Sequence, residues 1–255
     1  LLLSNAPLQG DYWLVSFLAP EIALRTAPGQ FVHVQIPDLA HRVLRRPFSV
    51  FDTDPGSGTV RVVYKLVGEG TRQLARTPKG VHVSLLGPLG HGFSPLPAGG
   101  RGVIVAGGYG NAATYLQAKT APDSFLCLFG GRSERDLILV DAFQTLGCEV
   151  RLSTDDGSCG YHGLVTDLLE ETLEQADAPP EVYACGPNAM LAAVARIGAA
   201  HGVDAEVSLD HAMCCGVGAC FACVHRMKAD NDRGWTYTRT CLEGPVFKAG
   251  RAVWD

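Results

Sequence analysis

Four cysteines near the C-terminus constrain this chain more than any other feature. Cys215, Cys220, Cys223 and Cys241 follow the pattern C-x4-C-x2-C-x17-C. Plant-type [2Fe–2S] centres are held by thiolates at this kind of spacing. The first gap reads Gly216-Val217-Gly218-Ala219. Small residues there let the backbone come close and aim N–H groups at sulfur. Such donation offsets a cluster's negative charge and sets its potential. Zinc is the competing reading, but structural zinc usually sits between two short C-x2–4-C pairs. Cys214 is one residue out of register and reads as a spare core thiol.

Nine cysteines, an odd number, argue against a closed disulfide framework. Five of them crowd into Cys214–Cys241, which points to metal or cluster chemistry in a cytoplasmic protein. The cysteine-rich tail, residues 206–255, is too short to hold a large core alone. A bound group would supply the missing stabilisation.

The rest of the chain divides in two. Residues 1–97 carry short β-rich runs punctuated by Gly and Pro: Tyr12–Leu18, Phe31–Ile36, Phe48–Phe51, Val60–Leu66 and Val81–Leu85. This spacing suits a small antiparallel barrel. In residues 98–205 apolar strands alternate with helical stretches, the pattern of a doubly wound parallel sheet. Met190, Leu191, Val194 and Ile197 recur at helical spacing, with Asn188 as expected N-cap and Gly202 as expected stop. The expected fold class is therefore multi-domain β plus α/β with a small C-terminal cluster module.

Both larger zones carry ligand motifs. Arg46-Pro47-Phe48-Ser49 opens a β run; an Arg and a nearby Ser on an extended strand can meet a phosphate and a flavin edge. Val63-Tyr64-Lys65 is followed by Gly68-Glu69-Gly70-Thr71 at a helix entrance. Glycine there lets N–H groups approach a pyrophosphate, although a plain turn with a Thr cap also fits. Gly107-Gly108-Tyr109-Gly110-Asn111-Ala112-Ala113 follows the strand Val103–Ala106 and fits the dinucleotide pattern G-x-G-x-x-A. The acidic ribose reader expected about 20 residues on is missing; Gly130-Gly131-Arg132 stands there. The motif therefore leaves NAD against NADP open.

Cys185-Gly186-Pro187 and Asp155-Asp156-Gly157 end strands at the edge where open α/β sheets bind ligands. Asp155 and Asp156 read equally as turn formers or nucleotide contacts. For Cys185 a place in the nicotinamide and flavin pocket is favoured over a buried structural thiol. His91 and His211 lie near these motifs and read as polar packing residues.

Composition excludes several classes. A net charge of −5 offers no basic field for a nucleic acid backbone. No apolar run approaches the ~20 residues needed to span a bilayer. A colourless, zinc-stabilised, non-catalytic interaction protein remains the rival of another class.

Taken in order, these motifs, together with Gly87-Pro88-Leu89-Gly90 and the closing Cys241-Leu242-Glu243-Gly244-Pro245-Val246-Phe247, resemble the electron-transfer subunits of class 1B dihydroorotate dehydrogenases. These are a branch of the ferredoxin–NADP reductase superfamily. The resemblance covers essentially the whole chain. It implies an FAD-binding β-barrel (1–97), an NAD-binding α/β domain (98–205) and a [2Fe–2S] module (206–255).

It also implies that Arg46, Pro47, Phe48, Ser49, Val63, Tyr64, Lys65, Gly70 and Thr71 contact FAD. Gly107, Gly108, Gly110, Asp155, Asp156, Gly186 and Pro187 are the expected NAD residues. Cys215, Cys220, Cys223 and Cys241 are the expected cluster ligands. The implied partner is an FMN-containing subunit that oxidises dihydroorotate to orotate in pyrimidine biosynthesis, in a two-plus-two heterotetramer. The same module serving another dehydrogenase or hydrogenase is the alternative. A nicotinamide exchanges two electrons as hydride and a [2Fe–2S] cluster carries one, so a flavin, which does both, belongs between them. Tyr109 departs from the family's usual nucleotide turn, and His91 stands where Asn is common.

Overall fold

The computed structural model describes residues 1–39 and 44–254. The first zone forms two antiparallel sheets. One has the order β1 (Leu2–Gln9), β2 (Tyr12–Leu18), β6 (Thr59–Lys65), β5 (Asp52–Asp54). The other has the order β4 (Arg46–Ser49), β3 (Phe31–Val34), β7 (Leu85–Leu89). Alternation of side chains fills the space between them. Val15, Phe17, Val32, Val34, Val60 and Val62 all turn into one apolar core. The opposite face of β3 presents Phe31 and His33, cross-strand from Ser49 and Pro47.

Two strands differ from expectation. β1 contains Pro7, and proline cannot donate to a ladder, but β1 is an edge strand where the missing N–H costs little. The apolar alternation at Val81–Leu85 predicts a strand, yet the strand lies at Leu85–Leu89. There β3 offers its free edge, pairing Val34 with Leu85 and Phe31 with Leu89. Alternation marks what can be a strand; an available edge decides what is.

The second zone is a seven-stranded sheet. Its order is β11 (Tyr161–His162), β10 (Glu149–Thr154), β9 (Phe125–Gly131), β8 (Gly102–Gly107), β12 (Glu181–Cys185), β13 (Glu206–Ser208), β16 (Val246–Lys248). All pairings are parallel except β13 with β16. Helices α3 (Gly110–Lys119) and α4 (Val140–Leu146) cover one face; α5 (Val165–Glu174) and α6 (Asn188–Ala200) cover the other. In β8, Ile104 and Ala106 join the first core, while Val103 and Val105 join the second. That is why the strand reads as a continuous apolar run. In α6, Leu191, Val194 and Ile197 are buried, each worth about 1.5–3 kcal/mol. Pro187 occupies the N-cap, and Asn188 stands one place inside the helix.

The last fifty residues leave this sheet and return to it. After β13 the chain runs through the cysteine loop and the hairpin β14 (Val224–Lys228) and β15 (Trp235–Arg239), then re-enters as β16. The boundary expected at 205/206 thus falls at the start of β13. Buried Glu206 accepts hydrogen bonds from the Ser94 N–H (2.8 Å) and Oγ (2.6 Å), with the Lys248 Nζ 3.3 Å away. Lys119 and Arg61 both reach Asp52, at 2.6 and 2.7 Å, tying α3 to the barrel. Between them α1 (Pro20–Arg25) and α2 (Glu69–Arg76) complete the barrel zone.

Candidate functional site

β8 and β12 are neighbours whose crossovers run to opposite sides, so a crevice opens at their C-terminal ends. Gly107, Gly108, Asp155 and Pro187 line a cavity of about 650 Å³ there, with Tyr12, Lys65, Arg132, Asp136 and Met190. The glycines are needed for contact. A Cβ on Gly110 would lie 2.0 Å from the Cys185 carbonyl oxygen, so only glycine lets α3 start this close to β12. On Gly186 a Cβ would meet Met190 at 2.6 Å. Asp156 stands in the turn instead: its carboxylate accepts from the Ser158 N–H at 2.9 Å, and its contacts with Ser158 hold it below the ordinary carboxylate value.

A second, small cavity of about 40 Å³ lies between the barrel and the strand ends. Pro47, Phe48 and Ser49 face Cys185, Ser208 and Asp210 across it, and Phe31 and Met213 close it. Cys185 is buried, and desolvation pushes its thiol up to about 12, with the Asp210 charge adding to the rise. It is a protonated thiol at neutral pH.

The structure joins two motifs that sequence lists separately. A Cβ on Gly70 would lie 3.2 Å from the Arg46 Nε, so the guanidinium rests at the N-terminal end of α2. An Arg and free N–H groups at a helix start make an anion cradle. The buried Thr71 Oγ1 accepts from the Val67 and Gly68 N–H groups at 3.0 and 3.2 Å, fixing that turn. Val63 and Tyr64 turn into apolar cores, and the Tyr64 hydroxyl donates to Asn5 at 2.9 Å. Lys65 lines the large cavity over the Tyr12 ring, 4.8 Å from its centroid.

The cysteines form a sulfur cradle. The N–H groups of Val217 and Ala219 donate to the Cys215 Sγ at 3.5 and 3.3 Å. The Gly218 N–H donates to Cys241 at 3.2 Å, and the Cys241 N–H to Cys223 at 3.5 Å. Gly216 and Gly218 have φ of +71° and +79°, which L side chains rarely adopt. Cys220 neighbours the Cys215 thiol, and Cys223 that of Cys241. Donation from Val217, and then from Cys220 and Ala219, lowers the Cys215 thiol to about 6. Burial, with Cys223 alongside, raises Cys241 to about 12. The Arg239 Nη1 donates to the Gly218 carbonyl at 3.0 Å and pairs with Glu243, pinning the loop to β15. Among the described residues no group of three or more His, Cys, Asp or Glu converges on a single-ion site. Four thiols under backbone N–H donors are the donor set that a [2Fe–2S] group would take.

Sequence reasoning missed Tyr12, Phe31 and His33. Phe31 packs on Cys223 and Cys241 while lining the small cavity, so one ring touches both regions. His33 is fully buried, and neither ring nitrogen has a hydrogen-bond partner. Its ring lies 2.6–2.9 Å from where a Gly216 Cβ would be. Desolvation, helped by the Arg45 charge, lowers it to about 4. No local pattern marks these residues; they meet the site only through strand pairing.

Comparisons with known proteins give the chain's relatives. Residues 210–252 match the iron–sulfur cluster binding domain of dihydroorotate dehydrogenase B, and residues 98–196 match the oxidoreductase NAD-binding domain. The electron transfer subunit of dihydroorotate dehydrogenase B (NAD(+)) from Enterococcus faecalis is 39% identical over 233 residues, covering 89% of this chain and 87% of its own. That from Desulforamulus reducens is 34% identical, covering 95% and 93%. The chain belongs to the family of dihydroorotate dehydrogenase B electron transfer subunits. Among solved structures, the NADH-dependent reduced ferredoxin–NADP oxidoreductase studied for flavin-based electron bifurcation matches with a TM-score of 0.86 and 28% identity, covering 100% of this chain and 89% of that one. A ferredoxin reductase of carbazole 1,9a-dioxygenase shares the fold at 21% identity and a TM-score of 0.67, covering 79% and 64%. The family thus carries an antiparallel flavin barrel, an NAD-binding α/β domain and an iron–sulfur module in one chain. Among the described residues no helix is long and apolar enough to cross a membrane.

Proposed function

We propose that this chain carries electrons between a catalytic dihydroorotate dehydrogenase subunit and NAD+, through a [2Fe–2S] cluster and an FAD. Bound FAD would supply the exchange between one-electron and hydride chemistry. The chain's residues position and tune. Arg46, Gly70 and Thr71 are assigned to the FAD pyrophosphate. Pro47, Phe48 and Ser49 are assigned to its ring edge, and the strand through Val63, Tyr64 and Lys65 borders it. Gly107, Gly108, Gly110, Gly186, Pro187 and Asp155 are assigned to the dinucleotide, with Cys185 at the meeting of the two pockets. Asp156 serves the turn.

Cys215, Cys220, Cys223 and Cys241 are assigned to the cluster. The observation that carries this reading is the four-thiol cradle, with Phe31 bridging Cys223 and Cys241 to the small cavity. The partner brings the dihydroorotate site and its own FMN. A two-plus-two assembly in the cytoplasm rests on the resemblance alone. Iron, acid-labile sulfide and released flavin per purified chain test the reading. Two irons, two sulfides and one FAD are expected; zinc in place of iron refutes it.

A further inference from the structure

Tyr109 touches both cavities. It lines the 650 Å³ space beside Gly107 and Gly108, and it lines the 40 Å³ space beside Cys185 and Ser49. Its backbone, at φ −68° and ψ −9°, is ordinary helical geometry that any L-residue adopts. Backbone shape therefore does not call for an aromatic here. The side chain reaches away from the glycine turn, and its hydroxyl donates to the Asp210 carboxylate. Burial, with the Asp210 charge second, pushes that hydroxyl well above its ordinary value, so it stays a donor. The residue as a whole is still 41% exposed, which leaves the side chain room to swing.

Volume makes the consequence concrete. Hydride exchange needs the reacting atoms about 3–3.5 Å apart. The space beside Cys185 and Ser49 is the narrow one, about 40 Å³ against about 650 Å³ for its neighbour. Tyr109 lines both spaces, so its side chain stands between the nucleotide-turn space and the one beside Cys185 and Ser49.

We propose that Tyr109 is a gate between the nucleotide and flavin pockets, latched shut by Asp210. This rests on the reading of the two cavities given above. With the latch made, the adenine and phosphate half of NAD can bind, but the nicotinamide half is kept off the flavin. Opening breaks the Tyr109–Asp210 bond and merges the cavities. Asp210 lies in the segment leading to Cys215, so the latch also joins the nucleotide turn to the cluster loop. Only molecules with the gate open add the nicotinamide contacts, so NAD affinity falls as the closed fraction grows, and weakening the latch tightens NAD binding.

The test uses the holoprotein and two ligands, NAD+ and ADP-ribose. ADP-ribose has no nicotinamide and does not need the gate. Tyr109→Phe keeps the ring and removes the donor; Asp210→Asn removes the charged acceptor without touching the turn. Each variant is expected to bind NAD+ about threefold or more tightly than the parent, with ADP-ribose unchanged. The double variant is expected to gain no more than either single one, because both break one bond. Unchanged or weaker NAD+ binding in both variants overturns the gate, as does an equal change for both ligands, which marks a structural role. A parent protein that binds neither ligand overturns the nucleotide-pocket reading itself, and the gate with it.

Discussion

Replacing His33 with Phe should flatten the pH dependence of stability on the acid side. In the folded protein the imidazole is buried without a hydrogen-bond partner and titrates at about 4, against 6.5 for a free histidine. The unfolded chain therefore binds a proton that the folded chain refuses. Stability contributed by the neutral ring is complete above pH 6.5 and is lost as pH falls towards 4. At 1.36 kcal/mol per pH unit, the full loss is about 3 kcal/mol, of which about 2 kcal/mol falls between pH 7 and 5. Phenylalanine fits the apolar surroundings of Phe31 and Gly216 and carries no titrating group. Urea unfolding at pH 7, 6 and 5 gives the slopes. The parent should lose about 2 kcal/mol more than His33→Phe across that range. Parallel slopes for the two proteins would refute the burial argument.

Four further substitutions test the assigned sites. Arg46→Ala should weaken FAD retention by about 1.5–3 kcal/mol, the scale of a hydrogen bond to a charged group, read as flavin released on dilution. Cys215→Ser should lose or badly destabilise the cluster while Cys214→Ser keeps it, because only Cys215 receives the Val217 and Ala219 N–H bonds; electron paramagnetic resonance after dithionite reduction decides. Cys185→Ala should keep both FAD and cluster yet slow flavin bleaching by NADH in stopped flow, since its thiol faces the small cavity.

The sequence was most legible where chemistry is local. The cysteine spacing, the glycine turn after β8 and the strand–helix alternation are each written within a few residues. Their physical causes, close backbone approach and two-faced burial, also act over a few residues. The parts that stayed hidden are made by long-range pairing. Arg46 reaches Gly70 only because β4 and α2 lie together in the barrel. Tyr12 enters the nucleotide cavity from the second strand of the chain, and His33 meets Gly216 across 183 positions. The misplaced strand at Val81–Leu85 has the same origin: the free edge of β3, not local alternation, chose Leu85–Leu89. Asp156 shows the reverse case, where two adjacent acids with one local signature divide between a cavity wall and a turn.

The central claim is that this chain links dihydroorotate oxidation to NAD+. It is tested most directly by co-expressing the chain with an FMN-containing dihydroorotate dehydrogenase B catalytic subunit and following 340 nm absorbance (roughly the NADH band) after adding dihydroorotate and NAD+. The account predicts NADH formation by the complex, none from either subunit alone, and none from a complex carrying Cys215→Ser. A catalytic subunit that reduces NAD+ equally well without this chain, or a complex that never does, would contradict it.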